Sequence, residues 1–189
     1  MLVVETALPG VRIIRPRRHA DHRGWFTETW NQRSFAAAGM PEAFVQDNAA
    51  LSVASGTIRG LHFQAPPQAQ GKLVWVTRGA AFDVAVDIRR GSPSFGHHVA
   101  VTLEAGSGEQ LWIPPGFAHG YCTIEPNTEL VYKVTDFYNP ALDGGIRWDD
   151  PALGIDWPVA PGEAIVSDKD RGLPRLEDLP DIFIHGTHS

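Results

Sequence analysis

The 189-residue chain has one cysteine, no long apolar run and no excess of basic charge. With Cys122 alone, an internal disulfide, a CxxC redox pair and a four-cysteine metal site are all excluded. The apolar runs are far too short to span a bilayer. Acidic residues number 22 and basic residues 16, a formal charge of −6. That balance argues against a broad nucleic-acid or anionic-membrane surface but leaves room for a small basic pocket. The first ten residues carry Glu5 and Pro9 and lack a basic n-region followed by an apolar h-region, so no signal peptide is expected. A reduced, cytoplasmic protein is the default expectation. No repeat, linker or low-complexity stretch is evident, and no G-x-G-x-x-G fingerprint for a dinucleotide.

What is present reads as globular: 43% hydrophobic and 20% charged residues, in a length that suits one domain with a frayed tail after about Pro180. Glycine (19) and proline (15) punctuate short segments whose period is mostly two. Phe82, Val84, Val86 and Ile88 alternate with Asp83, Ala85 and Asp87; Val99, Val101 and Leu103 alternate with Ala100 and Thr102. Leu73 to Thr77 and Glu129 to Val134 also read as strands. Turn signals separate them at Gly79, Arg90-Gly91-Ser92-Pro93, Gly106-Ser107-Gly108 and Pro114-Pro115-Gly116. Many short strands with regular breaks predict a β-sandwich or barrel. One helix is predicted over Arg33 to Ala38, capped by Asn31 and ended by Gly39 and Pro41, with a further turn near Leu176 to Leu179.

Two stretches are unusual for plain strands. Arg59-Gly60-Leu61-His62-Phe63-Gln64 sets a cation, an imidazole and an amide around a glycine, and alternation points His62 away from Leu61 and Phe63. Taken alone, His62 reads as a surface or hydrogen-bonded core histidine. Pro114-Pro115-Gly116-Phe117-Ala118-His119 shifts that balance: its P-x-G-x-x-H pattern bends the chain before a strand expected to start at His119, and it resembles the second signature motif of the cupin superfamily. The first cupin motif would need H-x-H, and here the place reads His62-Phe63-Gln64. The adjacent His97-His98 pair points to opposite faces, so a metal is not expected. A metal-free pocket with a histidine suits general acid–base chemistry near neutral pH. Such a base needs an orienting acceptor, with Asp83, Asp87, Asp168 and Asp170 as candidates. Inversion at carbon also needs an acid on the opposite face. Tyr132 can serve, although alone it reads as a core aromatic.

Taken in order, these stretches together with Asp21-His22-Arg23-Gly24-Trp25-Phe26, Phe44-Val45-Gln46-Asp47-Asn48, Gln70-Gly71-Lys72-Leu73-Val74, Ser92-Pro93-Ser94-Phe95-Gly96 and Gly154-Ile155-Asp156-Trp157-Pro158 resemble the dTDP-4-dehydrorhamnose 3,5-epimerase family from about Glu5 to about Pro174. The resemblance implies an all-β, double-stranded β-helix jelly roll with a few short helices. It implies a cofactor-independent isomerase, no metal, a homodimer formed by strand exchange, and a dTDP-4-keto-6-deoxysugar substrate. It also assigns roles. His62 falls on the base, Asp170 on the carboxylate supporting it, Lys72 on the cation near the C4 oxygen, and Tyr132 on the acid. Arg23 and Arg59 fall on diphosphate contacts, and His119 on a substrate contact. Glu28, Gln46, Asp47, Asn48 and Lys169 line the nucleotide or sugar pocket, and Tyr138 stacks on the thymine. Asp143 stands where many relatives carry Glu, one methylene longer, and His19 where many carry Phe. Plainer readings exist beside these: Arg23 and Asp47 capping turns, Gln46-Asp47-Asn48 leaving an edge strand, Lys169 in solvent.

Three other functions fit parts of the pattern. An epimerase acting only at C3 or only at C5 would use the same groups. A jelly roll that binds a nucleotide sugar without turnover would need neither base nor acid. A metal-dependent cupin enzyme would need ligands that this sequence offers poorly.

Overall fold

The computed structural model describes residues 1–40 and 42–186, so the Pro41 helix stop and the last three residues of the predicted tail lie outside the described part. The strands, in chain order, are β1 (Leu2–Glu5), β2 (Arg12–Arg15), β3 (Arg18–Asp21), β4 (Gly24–Thr27), β5 (Gln46–Ser52), β6 (Ile58–Gln64), β7 (Lys72–Arg78), β8 (Ala80–Asp87), β9 (Arg89–Arg90), β10 (His98–Glu104), β11 (Gln110–Ile113), β12 (Phe117–Thr123), β13 (Thr128–Val134), β14 (Asp143–Gly145) and β15 (Phe183–Ile184). Helix α1 (Gln32–Ala37) lies between β4 and β5, and α2 (Asp168–Arg171) follows β14. The Asn31 side chain caps α1 by accepting from the backbone N–H groups of Arg33 and Ser34. Leu176–Asp178 forms a 3₁₀ turn.

Six strands make one antiparallel sheet in the order β1-β2-β11-β7-β13-β5, and five make a second in the order β10-β8-β12-β6-β14. The chain crosses between the sheets at β5–β6, β6–β7, β7–β8, β10–β11, β11–β12, β12–β13 and β13–β14, as a jelly roll does. Val74, Val76, Leu111, Ile113 and Leu130 from the first sheet pack on Ala81, Ala85, Leu103, Phe117 and Tyr121 from the second. This is the shared interior.

The second sheet is covered on its other face as well. Leu61, Phe63, Val84, Val86 and Ile88 pack under Ile146, Leu153, Leu176, Leu179 and Phe183. This inverts the usual reading of β8: its large apolar residues face the C-terminal covering segment. Asp83 shares the opposite, inward face with Ala81 and Ala85. The tail is likewise corrected. Phe183 is buried, and β15 pairs in parallel with β9, so the chain is held past Pro180 by apolar contact and backbone hydrogen bonds. His119 is the third residue of β12, which starts at Phe117. No helix among the described residues is long and apolar enough to cross a membrane.

Candidate active site

One cavity of about 550 Å³ opens between the sheets, lined among others by Arg59, His62, Lys72, His119, Tyr121, Tyr132 and Asp170. A second of about 350 Å³ adjoins it, sharing His62, Lys72, Tyr132 and Lys169 and adding Gln46, Asn48, Tyr138 and Asp143. Of the residues whose site roles the resemblance implies, Asp47, Glu28 and Arg23 line neither cavity.

Strand alternation alone could not put both Arg59 and His62 into this space, because they are three positions apart. A bulge does it. His119 pairs with His62 and Tyr121 with Arg59, so β6 carries one more residue than β12 over that stretch. Gly60 sits in the bulge at φ +136°, and a Cβ there would lie 2.5 Å from Gly120 Cα. No side chain fits at either position. The glycine in the Arg59–Gln64 stretch is the sequence signal for this device.

His62 Nε2 lies 2.7 Å from Asp170 Oδ1, and the Gly60 N–H donates to Asp170 Oδ2 at 3.2 Å. Burial alone would raise the Asp170 carboxyl. The hydrogen bond and charge of His62, the Gly60 N–H and the charge of Lys169 outweigh it, so the carboxyl titrates below its ordinary value. Ser167 caps α2 by accepting from the Asp170 N–H, which fixes the carboxylate beneath the imidazole. With Asp170 ionised, Nε2 carries the proton and Nδ1 is left as the basic nitrogen. Across the cavity, Tyr132 projects from the facing sheet. Burial pushes its phenol pKa up, Arg59 opposes, and Asp143 and Tyr138 add to the rise. It stays protonated at neutral pH.

Lys72 donates from Nζ to the His62 carbonyl oxygen at 3.3 Å. Desolvation lowers it to about 8, with Asp143 and Asp83 pulling the other way. His119 donates from Nε2 to both oxygens of Asp83 at 3.0 Å, a second imidazole–carboxylate pair beside the first. Of the four acceptors considered for a histidine, Asp170 and Asp83 take that role. Asp87 instead holds Arg89, Ser92 and Ser94, and Asp168 opens α2.

At the adjoining cavity, Lys169 pairs with Asp143. Gln46 Oε1 accepts from the Tyr138 N–H at 3.0 Å, and its Nε2 donates to Asn48 at 2.9 Å. Tyr138 is half exposed, its ring open to a planar partner. Asp47, between Gln46 and Asn48 on edge strand β5, faces the other way and accepts from Lys133 at 2.8 Å. Arg23 and Glu28 lie elsewhere. Arg23 is on the β3–β4 hairpin, bonded to Asp21 and exposed. Glu28 accepts from Asn31 and Ser34 and lines a recess with Arg17, His19 and Phe26. The hairpin is a separate two-stranded sheet, which is why the chain does not bring them to His62.

Tyr121 is a site residue that sequence reasoning missed. Its hydroxyl is buried without a partner in hydrogen-bond geometry among the described residues; burial raises its pKa, and the charge of Arg59 and the nearby Ser52, which accepts from Arg59 at 3.3 Å, oppose that rise. Its place opposite Arg59 follows from the bulge, which period-two reading does not contain. Cys122 is buried, and burial raises its thiol to about 11, which leaves it an inert core residue. Among the described residues no three His, Cys, Asp or Glu side chains converge as metal ligands. His98, from the adjacent pair, turns Nδ1 to the Leu153 carbonyl oxygen at 3.1 Å.

A sequence profile of the dTDP-4-dehydrorhamnose 3,5-epimerase family matches residues 5–178. A dTDP-4-dehydrorhamnose 3,5-epimerase of Sinorhizobium fredii is 49% identical over 173 residues, covering 92% of this chain and 88% of that one. Among solved structures, the Bacillus anthracis epimerase with TDP and PPi bound superimposes with a TM-score of 0.89 at 45% identity, covering 92% of this chain and 98% of that one. The Legionella pneumophila epimerase in complex with dTDP-4-keto-L-rhamnose gives a TM-score of 0.92 at 39% identity, covering 98% and 99%.

Proposed function

The chain belongs to the dTDP-4-dehydrorhamnose 3,5-epimerase family, and from that premise we propose that it converts dTDP-4-dehydro-6-deoxy-D-glucose to dTDP-4-dehydro-L-rhamnose in the cytoplasm. The observation that carries the reading is the placing of His62 and Tyr132 on facing sheets around one cavity that also holds Lys72.

The chemistry follows from the substrate's C4 ketone, which acidifies the hydrogens on C3 and C5. His62 Nδ1 takes one of them, and Asp170 stabilises the imidazolium that forms. Electron density moves to the C4 oxygen, giving an enolate, and the Lys72 ammonium stabilises that charge. Tyr132 then donates its proton to the same carbon from the opposite face, which inverts the centre. His62 then gives its proton to solvent and Tyr132 takes one from it, after which the cycle at the second carbon is the same. Protons only are exchanged, so no redox cofactor enters the balance.

On the nucleotide side, Tyr138, Gln46 and Asn48 receive the thymine end, and Arg59 and Lys169 the diphosphate. Arg23 and Glu28 require a second subunit. The protein acts as a homodimer in which the β3–β4 hairpin of one copy reaches the cavity of the other; Trp25 and Phe26 on that hairpin are 58% and 70% exposed, which suits a contact surface.

The test is turnover of dTDP-4-dehydro-6-deoxy-D-glucose in D₂O, read by NMR. Deuterium at both C3 and C5 with inversion supports the proposal. Incorporation at one carbon makes the protein a single-site epimerase. Binding of the nucleotide sugar without incorporation makes it a non-catalytic binder.

A further inference from the structure

Asp83 is fully buried on the inward face of β8, beneath the cavity. Its neighbours on that face, Ala81 and Ala85, belong to the apolar interior. Among the described residues, His119 is the one side chain that hydrogen-bonds it, a single N–H shared by both carboxylate oxygens. A carboxylate buried there is costly and poorly served. Apolar side chains of similar size would hold the two sheets together at least as well. The pair therefore calls for an explanation other than stability.

The geometry points to Asp83 as a positioning residue for the epimerisation: it holds His119 with Nε2–H on its carboxylate, so that Nδ1 is the nitrogen offered to the ligand, and it is a fully buried negative charge that, with Asp143, favours the Lys72 ammonium. Among the described residues His119 Nδ1 has no hydrogen-bond partner, and His119 lines the cavity beside His62, its cross-strand neighbour. The charged and titratable groups around Lys72 come from every packed element: Arg59 and His62 on β6, Asp83 on β8, His119 and Tyr121 on β12, Tyr132 on β13, Tyr138 before β14 and Asp143 on it, and Lys169 and Asp170 on α2. Of the three carboxylates, Asp143 and Asp83 favour the Lys72 charge; Asp143 is paired with Lys169, whereas Asp83 is fully buried and bonded to an imidazole. Lys72, at about 8, sits close enough to working pH that losing an attractive charge shows in the rate. The inference rests on the epimerase reading above, because the Lys72 charge matters only where an oxyanion develops.

The experiment compares Asp83→Asn and His119→Gln with the wild type in kcat, KM and pH profile. Asp83→Asn is expected to lower kcat at least about tenfold with KM within about threefold. Its alkaline limb should move to lower pH by about half a unit or more, since a less stabilised ammonium deprotonates earlier. His119→Gln, which leaves the carboxylate in place, should lower kcat/KM without moving that limb. A folded Asp83→Asn enzyme with wild-type kcat and an unmoved limb overturns the proposal; a purely structural Asp83 would lower the melting temperature and leave both unchanged. Should that variant not fold, ¹⁵N NMR of His119 in the wild type decides. A proton on Nε2 throughout the active pH range supports the proposal, and a bare Nε2 overturns it. Wild-type turnover is the control: an inactive wild type speaks against the epimerase reading, and the NMR measurement still tests the placing of His119.

Discussion

Replacing Asp170 with Asn isolates the charge beneath the His62 imidazole, the base proposed above. The carboxylate makes two bonds: Oδ1 to His62 Nε2 at 2.7 Å and Oδ2 to the Gly60 N–H at 3.2 Å. An amide has one acceptor oxygen, so the substituted side chain can serve His62 or Gly60 but not both. If it serves His62, the ring keeps its orientation and loses its counter-charge. A hydrogen bond to a charged group contributes about 1.5–3 kcal/mol, and the imidazolium forms only as the proton leaves carbon. That loss corresponds to a fall of roughly tenfold to a hundredfold in kcat. The assay is deuterium incorporation at C3 and C5 at saturating substrate, beside dTDP binding by calorimetry. The account predicts slowed exchange at both carbons and dTDP affinity within about threefold of wild type. Wild-type exchange in a folded Asp170→Asn enzyme would refute the role given to the dyad.

Three further outcomes follow from the same structure. Tyr132→Phe should reduce inversion more than deuterium exchange, because His62 can still form the enolate; equal losses measured by NMR would remove Tyr132 as the acid. Asp87→Asn should lower the melting temperature at pH 7, because the buried carboxylate bonds Arg89, Ser92 and Ser94, which hold its pKa at about 2 against the effect of burial. A carboxyl depressed on folding stabilises above its unfolded pKa of about 3.9, and that contribution disappears as pH falls through about 2. The two melting curves should therefore converge in strong acid, and a constant gap down to pH 2 would contradict the assignment. Light scattering should give twice the chain mass, and Trp25→Ser with Phe26→Ser should shift the population toward monomer; a wild-type monomer would contradict the exchanged hairpin.

Much of the architecture was legible because period-two alternation survives wherever one face of a strand is apolar. The β10 and β13 segments and the Asn31-capped helix stand within a residue or two of where the pattern puts them. The pattern gave β8 as a strand but could not orient it, because both faces are buried and the polar side is the inward one. It said nothing of the covering C-terminal segment, whose Leu176, Leu179 and Phe183 bury themselves by long-range contact that local sequence does not encode. Helix α2 is one turn long and legible only through its Ser167 cap. At the site, the chemistry-bearing residues were found by motif. Their convergence depends on the Gly60 bulge and on α2 reaching β6 from more than a hundred positions away. The absence of Arg23 and Glu28 from the cavity reflects a β3–β4 hairpin that is a separate sheet with Trp25 and Phe26 exposed.

The most direct measurement is a crystal structure with dTDP-L-rhamnose bound. The account predicts that the His62 imidazole lies against one face of the hexose, the Tyr132 hydroxyl against the other, and the Lys72 ammonium nearest the C4 oxygen. A hexose seated outside the cavity, or with both rings on the same face, would contradict it.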